Sequence, residues 1–274
     1  LVDNGLVFFA SAVGYLHAID LASGEVRWKK DFRGDFGVTA DLSWGFCASP
    51  LIADGKLIVM PGGPEASIVA LKPSSGEVLW KTPGAPPGHG SPIVATLGAR
   101  RQIVAHDRDS LGGWDVATGE RLWSVAPELK GGFHVPTPIV WRDKLVIATE
   151  NDGTRMFQFG AAGKIDEKPI AADDQFVPDT HTPVVVNDRL FGVHQGLYIF
   201  DLTREFTTIA KSDDRAFSEY ASLIASPTHV LATTTEAPPA LGPWLAQLPP
   251  GLQNTVRLRV EGERVALPGP ALTP

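Results

Sequence analysis

The chain has 274 residues, 43% of them hydrophobic and 20% charged, enough to bury a large core as one all-β domain or two ordinary ones. Its 28 glycines and 23 prolines point to many turns, and regularly spaced Val/Ile/Leu runs set it apart from low-complexity disorder. A formal net charge of −7 without a basic stripe excludes an ordinary nucleic-acid binder, and no apolar stretch approaches the roughly 20 residues of a transmembrane helix.

The chain opens at Leu1, already inside a strand, with the pattern LVDNGLVFFA. It is read as lacking upstream sequence, and with it any export signal. A similar pattern then recurs: a small residue, a proline, a β-branched run, a turn and a second apolar run. Ser49-Pro50 leads LIADGKLIVM, Ser91-Pro92 leads IVATLGARRQIVA, Thr137-Pro138 leads IVWRDKLVIA and Thr182-Pro183 leads VVVNDRLFGV. Ala221-Ser222 leads LIASPTHVLA, with serine in place of proline. Starts at 1, 51, 93, 139, 184 and 223 give six units of roughly 45 residues, the size of a four-stranded propeller blade. The predicted fold is an all-β propeller of antiparallel four-stranded blades, one domain over 1–274, with blades at 1–45, 46–87, 88–132, 133–177, 178–217 and 218–269. The ring either closes at six blades or belongs to a ring of seven or eight.

The second unit predicts its strands directly: Leu51–Ala53, Lys56–Met60, Ser67–Lys72 and Glu77–Lys81. Asp54-Gly55, Asp143-Lys144 and Asn187-Asp188 fit two-residue hairpin turns. No long amphipathic helix is read anywhere. Cys47, the only cysteine, excludes an intrachain disulfide and is read as a buried thiol. Glu236–Gln253 interrupts the rhythm of the last unit as a long loop.

An eleven-residue phrase closes the first three units: AIDLASGEVRW (Ala18–Trp28), ALKPSSGEVLW (Ala70–Trp80) and GWDVATGERLW (Gly113–Trp123). Gly24, Gly76 and Gly119 fall where a turn needs a positive φ. Trp28, Trp80 and Trp123 share one register and are expected to wedge between neighbouring blades. Ala162-Gly163-Lys164, Asp201-Leu202-Thr203 and Gly262-Glu263 are weaker echoes. The phrase resembles the tryptophan-docking repeat of quinoprotein alcohol dehydrogenase-like (PQQ-like repeat) propellers. The likeness runs closest to exported bacterial propellers and to the propeller lipoprotein of the outer-membrane assembly machine. Trp114-Asp115, the only WD dipeptide, sits mid-repeat and does not support a WD40 reading.

The resemblance implies an exported, periplasmic protein, and three functional readings stand. The first is a non-catalytic scaffold that binds a protein partner or a small polar ligand. The second, which the resemblance carries, is a PQQ-dependent dehydrogenase, and the third, read from the histidines themselves, is a divalent-metal site in the central funnel. The dehydrogenases of the family hold their quinone against a disulfide of adjacent cysteines, which a chain with one cysteine cannot build. No segment matches their calcium-binding and catalytic-aspartate motifs. No cofactor is therefore assigned. Candidate ligand-binding residues come from the loops that enter first strands and leave second strands, which propeller topology places on one face. They are His89, His106, His134, Glu150, Asp152, Asp179, His181 and His194. His89, His134 and His181 are the weak candidates for a metal.

Overall fold

The structure, a computed structural model, describes residues 1–128, 134–227, 229–235 and the backbone of strands 255–261 and 264–266. It contains six antiparallel sheets of four strands, each following chain order. The first comprises β1 (Val2–Asp3), β2 (Leu6–Ala10), β3 (Tyr15–Asp20) and β4 (Val26–Asp31). The second comprises β5 (Leu51–Ala53), β6 (Lys56–Val59), β7 (Ile68–Leu71) and β8 (Val78–Thr82), the third β9 (Ile93–Leu97), β10 (Arg100–His106), β11 (Leu111–Asp115) and β12 (Arg121–Val125). The fourth is β13 (Ile139–Trp141), β14 (Lys144–Thr149), β15 (Gly153–Phe157) and β16 (Ala171–Asp173). β17 (Val184–Val186), β18 (Arg189–Val193), β19 (Leu197–Asp201) and β20 (Thr207–Ser212) form the fifth. β21 (Ala221–Ala225), β22 (His229–Thr234), β23 (Thr255–Glu261) and β24 (Arg264–Ala266) form the sixth. The chain packs as two units, residues 1–145 with 157–168, and 146–156 with 169–274.

In the first unit the period of two along a strand explains the packing. Leu57, Val59, Val69 and Leu71 of the second sheet join Phe8, Leu16 and Trp28 of the first in one core. The intervening Ile58, Met60, Ile68 and Ala70 turn the other way, into a core with Ile103, Ala105 and Trp114 of the third sheet. A sheet with neighbours on both sides therefore reads as a continuous apolar run, not as an alternation. In the second unit Phe191, Val193, Leu197 and Ile199 pack with Phe217, Val230 and Ala232.

Most predicted turns sit where steric rules put them. Asp54 and Gly55 take φ of 49° and 73°, Asn187 takes 55°, and Gly24, Gly76 and Gly119 take 74°, 71° and 76°. Two readings are corrected. The fourth sheet turns at Arg142-Asp143 instead of Asp143-Lys144: Arg142 has φ 55° and Lys144 already belongs to β14. The Arg142 guanidinium and the Lys144 ammonium both lie over the Trp141 ring, at 4.8 and 5.5 Å, in cation–π contact that flanks the turn. Cys47 is exposed, with Sγ 3.4 Å from the Trp44 carbonyl, because its loop turns outward after the buried Phe46. A one-turn helix, α1 (Phe32–Phe36), bridges the first two sheets; Asp31 caps it, Gly37 ends it at φ 66°, and Phe32 and Phe36 are buried. The Glu236–Gln253 insertion and the Gly262-Glu263 echo lie outside the described residues.

Candidate functional site

The phrase-closing tryptophans have defined partners. Trp28 Nε1 donates to the Pro73 carbonyl at 2.8 Å, and the Trp28 ring covers the turn at Gly76, where a Cβ would stand 2.8 Å from it. Trp80 repeats this one sheet later: Nε1 donates to Val116 O at 3.2 Å, and the ring covers Gly119 at 2.5 Å from a Cβ. Each indole thus fills a socket made by the next sheet's turn, and the glycine is needed for space as well as for φ. Trp123 departs from the pattern. It is buried, its Nε1 donates to Gln102 Oε1 at 2.5 Å, and its ring meets Phe159 edge-on at 5.5 Å. Gly24 has nothing within 4 Å of a Cβ. We expect Gly119→Ala and Gly76→Ala to lower stability by about 2–3 kcal/mol, and Gly24→Ala by only the ~1 kcal/mol of its backbone strain. Equal losses at all three positions in urea unfolding would show that the indole contacts add nothing.

The small residue before each proline proves to be a connector. Ser49 N donates to Ser91 Oγ at 3.0 Å, and Ser91 N donates to Thr137 Oγ1 at 3.2 Å. The entrances to β5, β9 and β13 are thus linked in series, each amide donating to the hydroxyl of the next entrance. The sequence shows the residues as markers of a unit's start; their linking role follows only from the packing.

Three candidate histidines of the first unit lie together. His134 O accepts from His89 N at 3.0 Å and from Gly90 N at 2.7 Å, and His106 O accepts from Gly88 N at 3.1 Å. The His106 and His134 rings stack, with centroids 4.6 Å apart and planes 12° from parallel. Both residues are buried, and neither His106 ring nitrogen has a hydrogen-bond partner among the described residues. Burial first, and the neighbouring His134 second, push the His106 pKa down to about 3, so the ring is neutral at physiological pH.

In the second unit, Asp179, His181 and His194 form another group. His181 is buried and its Nε2 accepts from Val193 N at 3.0 Å. Burial brings its pKa down to about 4; the Asp179 carboxylate opposes that shift, and His194 adds to it. His194 is also lowered by burial, against the pull of Asp179. Glu150 and Asp152 lie in the turn after β14, where Asp152 N donates to Thr149 Oγ1 at 3.2 Å. His89 and His134 belong to the first unit and His181 to the second. Among the described residues no three His, Cys, Asp or Glu side chains are grouped to hold a metal ion.

A polar cluster outside the candidate residues is tighter than any of these groups. Asp107, buried at the end of β10, accepts from Ser110 Oγ at 2.9 Å and from Asp109 N at 3.0 Å. Arg121 Nη2 lies 3.3 Å from Asp107 Oδ2, and its guanidinium stacks 4.8 Å over Trp114. The signal for it was Gly112-Gly113: a Cβ at Gly112 would meet Arg121 and Trp114, and one at Gly113 would meet Trp123.

The sequence and the fold have known counterparts. The family model described as "Outer membrane protein assembly factor BamB" matches residues 1–63 and 37–238. The chain belongs to this PQQ-like repeat family. It is 26% identical over 212 residues to the outer membrane protein assembly factor BamB of Shewanella oneidensis, covering 70% of this chain and 50% of that protein. The chain thus spans about half the length of that relative. Among solved structures, BamB from Moraxella catarrhalis superposes with a TM-score of 0.65 at 14% identity, covering 96% of this chain and 69% of the other. A europium-containing methanol dehydrogenase superposes with a TM-score of 0.53 at 15% identity, covering 77% and 50%. The six sheets are blades of a β-propeller of the quinoprotein type. No helix among the described residues is long and apolar enough to cross a membrane.

Proposed function

We propose that the chain is a non-catalytic binding scaffold of the outer-membrane assembly kind, working in the periplasm and meeting a protein partner through the loops that enter first strands and leave second strands. The observation that carries this reading is how its histidines are used. His134 and His106 spend their carbonyls tying loops together, and His181 spends Nε2 on a backbone amide. These backbone and ring contacts tie the loops together, and among the described residues no three His, Cys, Asp or Glu side chains are grouped to hold a metal ion. The family match and the likeness to BamB support the same reading.

The loops also offer contacts of the kind interfaces use. Trp44, before β5, is 68% exposed, and Arg108 and Asp109, after β10, project into solvent. Photocrosslinking amino acids at Trp44 and Arg108, introduced into the chain in a bacterial envelope, test the proposal. It expects crosslinks to a component of the outer-membrane protein assembly machinery, and none from a control at Lys81 in β8. Crosslinks equally frequent at all three positions, or absent at both loop positions, would overturn it.

A further inference from the structure

The loop that enters the fifth blade is pinned by a side chain at the point where backbone pairing stops. Strand pairing sets Val186 against Arg189 and Val184 against Phe191, and one step further would set Thr182 against Val193. β17 begins only at Val184, just after Pro183, so the ladder ends there. The Val193 N–H is used all the same: it donates to His181 Nε2 at 3.0 Å, in a buried bond. The imidazole stands in for a strand carbonyl. It carries the grip of β18 on residues 179–183 past the end of β17.

The substitution has a chemical consequence. A backbone carbonyl accepts at any pH, whereas an imidazole nitrogen accepts only while it carries no proton. With Nε2 accepting, the neutral ring holds its proton on Nδ1, and Nδ1 has no hydrogen-bond partner among the described residues. A second proton must therefore go to Nε2, where it meets the Val193 N–H as donor against donor. The ring would then be a buried cation beside a buried amide without an acceptor, and both penalties drive it outward. A receiving group is close by. The Asp179 carboxylate, two residues earlier, favours the charged ring. His194, in the turn after β18, disfavours it. Lys211 of β20 acts on His194 in the same sense and is paired with Asp213 at 2.9 Å. All these residues belong to the second unit.

We propose that His181 is an acid-released latch. While neutral it holds the entrance of the fifth blade to the end of β18. On protonation it leaves Val193, pairs with Asp179 and frees residues 179–183, while the blade itself stays folded. The latch works in the same way whether or not that loop meets a partner.

Amide hydrogen exchange and ring 15N NMR on the full chain, followed from pH 7 to pH 4, test this. At pH 7 the His181 ring should show the tautomer protonated on Nδ1. Relative to an unstructured peptide at each pH, the Val193 amide should lose protection about tenfold per pH unit below pH 6, since one proton releases one latch. The amides of Leu190 and Phe200, paired within the same sheet, should keep theirs. His181→Gln supplies an acceptor that does not titrate and should abolish the pH dependence at Val193. Asp179→Asn removes the receiving carboxylate and should move the loss to lower pH. A ring with Nε2 already protonated at pH 7 would overturn the proposal. So would Val193 protection that ignores the titration of the ring, or that falls only together with Leu190 and Phe200. An unaltered slope in His181→Gln, or an unmoved one in Asp179→Asn, would do the same.

Discussion

Replacing Trp123 by alanine is expected to cost about 4–5 kcal/mol, the largest loss of any single substitution in the phrase. Two effects add. A fully packed indole leaves a cavity between the third blade and Phe159, and Gln102, which is 0% exposed, loses the donor to its Oε1. The Gln102 amide cannot turn to another partner cheaply, because its Nε2 already donates to Gly163 O at 3.1 Å and Leu97 O at 3.3 Å. Trp80→Ala and Trp28→Ala should cost less, about 3 kcal/mol each, since both indoles are only half-buried and their lost acceptors are backbone carbonyls near the surface. Trp123→Phe separates the two effects by keeping an aromatic ring while removing the N–H; it should recover the larger part of the loss. Denaturant unfolding of the four variants reads this order directly. Losses below about 1 kcal/mol throughout would mean that the indoles decorate the blades without holding them.

The second large effect is with acid. His106 and His181 have folded-state pKa values near 3 and 4, below the value of about 6.5 that each takes in the unfolded chain. Between those limits the unfolded chain binds a proton at each site and the folded chain does not, so stability rises with pH and falls as pH drops. The contribution is fully present above about pH 6.5. Each histidine then removes about 1.4 kcal/mol per pH unit on acidification, His181 until pH approaches 4 and His106 until it approaches 3. From pH 7 to pH 5 the two together should cost about 3–4 kcal/mol. Asp20, Asp115, Asp143 and Asp201 are held below the ordinary carboxylate range by hydrogen bonds, from Arg27, Arg100, Lys144 and Thr203 respectively; they add their own acid sensitivity only at lower pH. The histidine window is thus read cleanly between pH 7 and pH 5. His106→Phe should flatten the slope there by about one proton's worth, and an unchanged slope would mean that His106 is solvated.

What was legible in the sequence was whatever sterics alone dictate. Glycine at a crowded positive-φ turn, proline at the start of a strand and an indole at a fixed register each have few substitutes, so they recur visibly and mark the repeat. Arg142 was misplaced because aspartate, not arginine, is the residue usually favoured at a positive φ, so the local signal points to Asp143 while the structure puts Arg142 there. Cys47 was misplaced because burial of a thiol depends on which way its loop turns. The sequence puts the histidines near strand ends, His106 closing β10 itself, but does not show what each contacts. His106 and His134 stand 28 positions apart, and their stacking depends on how one loop crosses another. The Ser49–Ser91–Thr137 links and the Asp107–Arg121 pair were hidden for the same reason: serine, aspartate and arginine are ordinary in loops until packing brings them together.

Calorimetric titration of the purified chain with PQQ in the presence of calcium, and separately with zinc, tests the scaffold reading most directly. With no three ligating side chains grouped among the described residues and a single cysteine in the chain, no saturable heat is expected from either titrant. Saturable binding of PQQ, abolished by changing His134 or His181, would contradict the account and make the chain a quinone-binding protein.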